Sequence, residues 1–401
     1  MYKKVIVFII AMVMLFGACF TSFASENEAF PDIDTNNGAE NDSPASINLE
    51  LSAKSAVLME AETGTILYSH NPNERLAPAS VTKIMSLLLV AEAIRDGRAK
   101  LDDKISISAK ASGMGVSQIF LKEGEIFTLE ELLKSTVIAS ANDSIVALAE
   151  HLYGSEDLFV AEMNKRAKEM NMQSTSFENC TGLDDTTVDH KTTAKDIAIM
   201  SRELIKHDII LKYSSVWQDS IRNGEFTLTN TNRLVRYYDG CTGLKTGSTD
   251  KAGYCISATA KRSGMHLIAV VMGCQTRDAR NEDARKMLDY GFSSFALYKD
   301  EPSTIDTAPI KYGRKNEVDI ATHGFSTLIE KGRLNSIEKT YHLPEFITAP
   351  ISKGDKVGEI IYHINGEEIG KCDAYVTEAV DRIGILEIIY RIICSIIVGK
   401  S

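Results

Sequence analysis

Residues 77–94 read APASVTKIMSLLLVAEAI. Pro78 ends a loop, and a helix is expected from Ser80 to Arg95, stopped by Asp96-Gly97. Its interior, from Ile84 to Val90, is apolar on most sides, which is the pattern of a helix buried in a domain core. Ser80 and Lys83 stand three apart at its mouth and project to about the same face. A serine hydroxyl is a weak nucleophile without a nearby base. A lysine partly withdrawn from water has a lowered pKa and can act as that base. The same spacing also fits a serine that caps the helix beside a lysine that reaches solvent. What the rest of the chain brings to this place therefore matters.

Working outward, SAVLMEAETGTILYSHN alternates around Thr63-Gly64, a hairpin pattern. Downstream, TLEELLKSTVIAS carries Thr128 and Glu131 in capping-box spacing. SIVALAEHLYG, DLFVAEMNKRAKEM and TTAKDIAIMSRELIKHD read as further helices. GYCISATAKRSGMHLIAVVMG then reads as two strands around Ser263-Gly264, and TRDARNEDARKMLDYGFSSF as a closing helix. Strands toward both ends with helices between them predict an α+β domain over 51–301, an antiparallel sheet with a helical cover. Short β-like runs separated by turns predict a small all-β C-terminal domain over 302–380.

The ends have a different character. Residues 1–24 have a basic start, an apolar core and small residues before a cleavage point, as in a secretory signal peptide. A retained N-terminal anchor, or a lipoprotein signal with Cys19 lipidated, are the alternatives. Residues 25–50 are acidic and rich in Asn, Ser and Pro, a flexible leader. The tail 381–401 is apolar but carries Glu387 and Arg391, and it is short for a membrane span. It is expected to be an amphipathic helix that associates with the outer face of the cytoplasmic membrane. Packing on its own domain is the alternative. The protein is thus expected to be exported and peripheral to the extracytoplasmic face of the membrane.

A net charge of -11 argues against nucleic acid as a partner. Zinc-like cysteine pairs and dinucleotide or phosphate-loop patterns are missing from the sequence, and no cofactor or metal is expected. Cys255 and Cys274 fall on neighbouring expected strands, as buried thiols or as a single disulfide. His190 is expected to make a structural hydrogen bond, with a catalytic role as the alternative, and Trp217 to pack, with a substrate platform as the alternative.

Two further segments bear on Ser80. In IASANDSIV, Ser140 and Asn142 join a helix end to a helix start. Ser140 can pass a proton between Lys83 and a leaving group, and Asn142 can hold Lys83 and a substrate carbonyl. In GLKTGSTDKAG, Lys245 and Thr246 stand on an expected edge strand, where an extended peptide can pair. Lys245 supplies positive potential, and Thr246 can donate to a carboxylate. Gly247 gives close access to the backbone, and the Ser248 N–H can join that of Ser80 in holding an oxyanion.

Ser-x-x-Lys, the Ser140/Asn142 segment and Lys-Thr-Gly occur in the order found in penicillin-binding proteins and class A β-lactamases. With NCTGLDD, the run from GCQTRDAR to LDYGF and the late ISKGDKVGEI, the chain resembles the low-molecular-weight penicillin-binding proteins, the serine D-alanyl-D-alanine carboxypeptidases. The resemblance spans nearly everything from residue 52 onward. It implies a β-lactamase/transpeptidase-like catalytic domain and a β-rich second domain. It implies work on peptidoglycan stem peptides ending in D-Ala-D-Ala, and covalent capture of β-lactam antibiotics. It makes Ser80 the acylated serine and Lys83 the general base, with Ser140 and Asn142 in the second motif and Lys245, Thr246 and Gly247 in the third. It also places Arg280 beside Thr246, on the substrate's terminal carboxylate. Two positions depart from the family pattern: Ser248 stands where many relatives carry histidine, and Thr242 where aspartate is common. Class A β-lactamases also need a glutamate that activates the deacylating water, and no Glu-x-x-x-Asn pattern lies between the second and third motifs. Endopeptidase or transpeptidase action shares the same residues. A wall-binding protein without catalysis would need neither Ser80 nor Lys83.

Overall fold

The computed structural model describes residues 47–389. The expected signal peptide over 1–24 and most of the acidic leader lie outside the described residues. From Leu49 onward the described residues form one compact unit.

A five-stranded antiparallel sheet forms the centre of the catalytic part. Its strands are β1 (Ser55–Glu60), β2 (Ile66–His70), β3 (Cys241–Thr249), β4 (Gly253–Arg262) and β5 (Met265–Cys274), in the order β2-β1-β5-β4-β3. The hairpin expected at Thr63-Gly64 is β1–β2, with Ala56 opposite His70 and Leu58 opposite Tyr68. The two strands expected around Ser263-Gly264 are β4 and β5. The last strand of this part therefore lies between the first strand and the fourth, with Val57 opposite Val270. β3 is left at the edge.

Helices pack on both faces of the sheet. On one side lies the largest apolar cluster, built around α1 (Lys83–Arg95), α2 (Leu129–Ala139), α3 (Asn142–Tyr153), α4 (Glu156–Glu169) and α5 (Ala194–Leu204). Every residue of α1 from Lys83 to Ala93 is buried, as its nearly all-round apolar sequence requires. α2 begins at the Thr128–Glu131 capping box, with both reciprocal hydrogen bonds made. Thr193 caps α5 with a single side-chain bond, its hydroxyl accepting from the Asp196 N–H at 3.0 Å. α6 (Arg277–Ser294) covers the other face with Ala284, Met287 and Leu288.

The C-terminal part is β-rich. Phe295–Asp300 pairs with Phe325–Glu330. A six-stranded sheet runs Ile337–His342, Lys356–Ile364, Glu367–Val376, Glu317–Thr322, Ser303–Lys311 and Ile347–Thr348. Its core is small and includes Val318, Ile320, Ala374 and Val376.

The tail corrects one expectation. Residues 381–383 do not begin an amphipathic helix. They are extended against the 312–314 turn, with Arg314 N–H donating to the Asp381 carbonyl at 2.9 Å and Ile383 N–H to the Tyr312 carbonyl at 2.8 Å. Helix covers only 385–389 of the described tail. Among the described residues no helix is long and apolar enough to cross a membrane. Among the described residues there is thus no long apolar C-terminal helix to serve as an anchor, which corrects the expected membrane-association helix over 381–401. Residues 390–401 lie outside the described residues.

Candidate active site

The chain enters α1 through a 3₁₀ turn, Ala79–Thr82, rather than through an α-helical start at Ser80. Ser80 caps nothing: neither the turn nor α1 has a side-chain cap. Ala79 holds φ +48, a sparsely populated conformation for a residue with a side chain. The turn leaves Ser80 half-buried, with its Oγ 3.1 Å from Lys83 Nζ.

Lys83 is fully buried. Besides Ser80, its amine has two partners: Asn142 Oδ1 at 2.6 Å and the Thr181 carbonyl at 2.7 Å. Both of these accept only. A neutral amine has two N–H donors and one lone pair; with the donors given to Asn142 and Thr181, the lone pair is left for the Ser80 hydroxyl. Burial pushes the Lys83 pKa down to about 7, against the opposing pull of Cys180 and Asp143. The orientation of Asn142 is set from its other end, where Nδ2 donates to the Gly115 carbonyl at 2.9 Å. Asn142 opens α3, and its own N–H donates to the Ser117 carbonyl at 2.7 Å.

Ser140 ends α2 in the left-handed region, at φ +63. Its hydroxyl accepts from Lys245 Nζ at 2.8 Å, and Lys245 also donates to the Thr246 carbonyl at 2.7 Å. Burial pushes the Lys245 pKa well down, and the neighbouring charges of Lys83 and Arg280 push the same way. Arg280, whose pKa stays at about 10, keeps its positive charge at neutral pH and gives the site a cation suited to a carboxylate.

Lys245, Thr246 and Gly247 lie on β3 against the 3₁₀ turn. A Cβ on Gly247 would come within 2.8 Å of Ser80 N and 2.9 Å of Pro78 O, so a side chain there would push the strand off the nucleophile. Thr246 donates to Thr231 Oγ1 at 2.8 Å. Arg280 comes from the first turns of α6, is buried, and donates to Asn281 Oδ1 from Nε and Nη2 at 3.1 and 2.9 Å. Burial, and then Arg277, lower its pKa to about 10. Ser80, Ser140, Thr246, Gly247, Ser248 and Arg280 all line one cleft of ≈ 1150 Å³. Lys83, Asn142 and Lys245 are buried behind its wall. All nine sequence-derived candidates thus converge on one place.

Other expectations resolve nearby. His190 makes structural hydrogen bonds: Nδ1 accepts from the Glu178 N–H at 3.0 Å, which leaves Nε2–H to donate to Thr82 Oγ1 at 2.7 Å. Burial lowers its pKa to about 4, so the ring is neutral. Thr242 donates to Thr259 Oγ1 at 2.8 Å and lies 2.9 Å from His266 Nε2. Cys255 and Cys274 are free, buried thiols rather than a disulfide. Two features were not anticipated. Trp217 lines the cleft, with the Arg236 guanidinium 5.5 Å from its ring centre. The Thr181 carbonyl is a ligand of the base, although NCTGLDD had already stood out in the sequence.

Comparison with known proteins agrees with this geometry. The family described as D-alanyl-D-alanine carboxypeptidase matches residues 39–276, and that described as penicillin-binding protein 5, C-terminal domain, matches residues 292–382. The chain is 42% identical to D-alanyl-D-alanine carboxypeptidase DacF of Bacillus subtilis, over 88% of this chain and 92% of that protein. It is 34% identical to DacC of Escherichia coli, over 83% and 85%. The solved structure of penicillin-binding protein 5 from Haemophilus influenzae superposes with a TM-score of 0.72 at 31% identity, covering 83% of this chain and 98% of that one.

Proposed function

Given that the chain belongs to the D-alanyl-D-alanine carboxypeptidase family, we propose that it removes the terminal D-alanine of peptidoglycan stem peptides through an acyl-enzyme on Ser80. It is a serine hydrolase with an extracytoplasmic substrate. We assign its catalytic part to 51–301 and its β-rich part to 302–380.

The steps follow from the atoms in place. The Lys83 amine takes the Ser80 proton as Oγ attacks the penultimate D-Ala carbonyl. The resulting oxyanion is held by the N–H groups of Ser80 and Ser248. The C–N bond breaks, and the departing amine takes a proton from Lys83 by way of the Ser140 hydroxyl. Lys245 keeps Ser140 in line by donating to its hydroxyl. Thr246 and Arg280 hold the terminal carboxylate, which distinguishes a free chain end from mid-chain peptide. Water then cleaves the ester, and the Ser80 oxygen regains its proton. β-Lactams acylate the same oxygen.

One observation carries the reading: a buried amine with Asn142 Oδ1 and the Thr181 carbonyl to take two N–H donors and Ser80 Oγ at 3.1 Å as its third partner, so that in its neutral form the lone pair is left for Ser80. Mass spectrometry of a stem pentapeptide incubated with the enzyme tests it. Loss of one D-Ala is expected, and Ser80→Ala should reduce it by about 10⁴-fold or more. A pentapeptide left unchanged by the wild-type enzyme would overturn the proposal.

A further inference from the structure

One of the two acceptors of Lys83 is a main-chain carbonyl, and a carbonyl is only as fixed as the turn that carries it. Four hydrogen bonds from one side chain hold this turn. Asn179 Oδ1 accepts from the Thr181 N–H at 3.1 Å, the Thr181 hydroxyl at 3.1 Å and the Gly182 N–H at 2.7 Å. Its Nδ2 donates to the Leu183 carbonyl at 2.7 Å. Asn179 thus closes the turn onto itself in the manner of an Asx turn.

The turn is also pressed against the nucleophile. Gly182 holds φ +83, and a Cβ there would lie 1.9 Å from the Ala79 carbonyl oxygen and 2.8 Å from Thr82 Oγ1. Just upstream, the Cys180 N–H donates to Glu156 Oε1 at 3.1 Å, and Ser86 Oγ donates to the Cys180 carbonyl at 2.7 Å. The backbone is therefore held on both sides of Thr181. Asn179 itself is half-buried, does not line the cleft and makes no hydrogen bond to Ser80 or Lys83.

We propose that Asn179 is a positioning residue for the reaction: by fixing the Thr181 carbonyl it orients the Lys83 amine, so that the lone pair faces Ser80 and not the interior. The proposal rests on Lys83 being the base. The charged or titratable groups acting on that amine are Cys180 in the turn, Asp143 in α3 and Lys245 in β3.

The test measures second-order acylation by a fluorescent penicillin from pH 5 to pH 10, with thermal melts, for the wild type, Asn179→Ala, Asn179→Asp and Lys83→Arg. Asn179→Ala should acylate about 10- to 100-fold more slowly at every pH in its folded fraction, because a misaimed base costs rate without loss of the binding cleft. Asn179→Asp keeps an acceptor for the three donors but adds a negative charge, which favours the Lys83 ammonium. Its acidic limb should move to higher pH, with part of the rate recovered on the alkaline side. Folded Asn179→Ala at the wild-type rate, or folded Asn179→Asp with an unmoved limb, would overturn the positioning role. Full acylation by Lys83→Arg would overturn the base assignment instead, so the two failures are distinguishable.

Discussion

The two parts of this chain treat buried polar groups in opposite ways. Around the cleft, Lys83, Asn142, Asp143, His190, Lys245 and Arg280 are all buried. In the β-rich part, among the described residues from 303 onward, Thr322 is the one buried polar or charged residue, beside the buried Tyr362 with its hydroxyl on Asp300. Withdrawing polar groups from water is costly unless each is paired. The catalytic part meets that requirement completely: among the described residues no buried side-chain nitrogen or oxygen lacks a partner. Concentrated burial of polar groups marks where the molecule does chemistry. The β-rich part is held by its ladders and a small apolar core.

The contrast can be tested by removing one buried group at a time. The largest effect is expected from Lys83→Met, which removes the base: acylation by a fluorescent penicillin should fall by about 10³- to 10⁴-fold. Wild-type labelling by this variant would mean that burial around the cleft is structural only. Arg280→Gln comes next. It should lower kcat/KM for a free-carboxylate peptide by about 10- to 100-fold, the worth of a charge-assisted hydrogen bond, and have little effect on a C-terminally amidated analogue. Equal losses on both substrates would remove Arg280 from carboxylate recognition. The pH dependence follows in size. Lys83 accepts a proton only when neutral, so acylation should rise through about pH 7 and fall about tenfold per unit below it. A flat profile between pH 5 and pH 7 would contradict a lysine base. The smallest effect is assigned to the β-rich part. Thr322 lies 2.8 Å from Cys372 Sγ and accepts from the Gly324 N–H at 3.1 Å. Thr322→Val should cost about 1 kcal/mol in denaturant unfolding and leave acylation unchanged. A loss of activity from this variant would erase the distinction between the two parts.

Much of the catalytic part could be read from local pattern. The capping box at Thr128, the all-round apolar α1 and the Ser263-Gly264 hairpin are short-range signals, and the structure contains each of them. The site was legible in another way. Lys83 and Asn142 are 59 residues apart and Ser140 and Lys245 are 105 apart, so only the order of three motifs pointed to their meeting. The Thr181 carbonyl was not legible, because every residue carries a carbonyl and only the fold aims one. The tail misled for a related reason. Its apolar composition suits a membrane helix, but residues 381–383 find hydrogen-bond partners at 312–314, a long-range pairing that hydropathy does not report. Trp217 is a similar case: an aromatic residue looks the same in sequence whether it faces a core or a cleft.

The position of β5 between β1 and β4 has a consequence for how the molecule matures. Ala56 pairs with Val271, so the first strand waits for a partner more than two hundred residues later in the chain. Until that late segment emerges, α5, which packs on β1 and β5, lacks its sheet, and α1, which packs on α5, keeps apolar surface open to water or to other chains. Closing so large a loop is slow compared with forming a hairpin. The nucleophile is encoded early, but it gains its surroundings only when nearly the whole catalytic part is present, so shortened or stalled chains should remain inert toward the wall and toward penicillin.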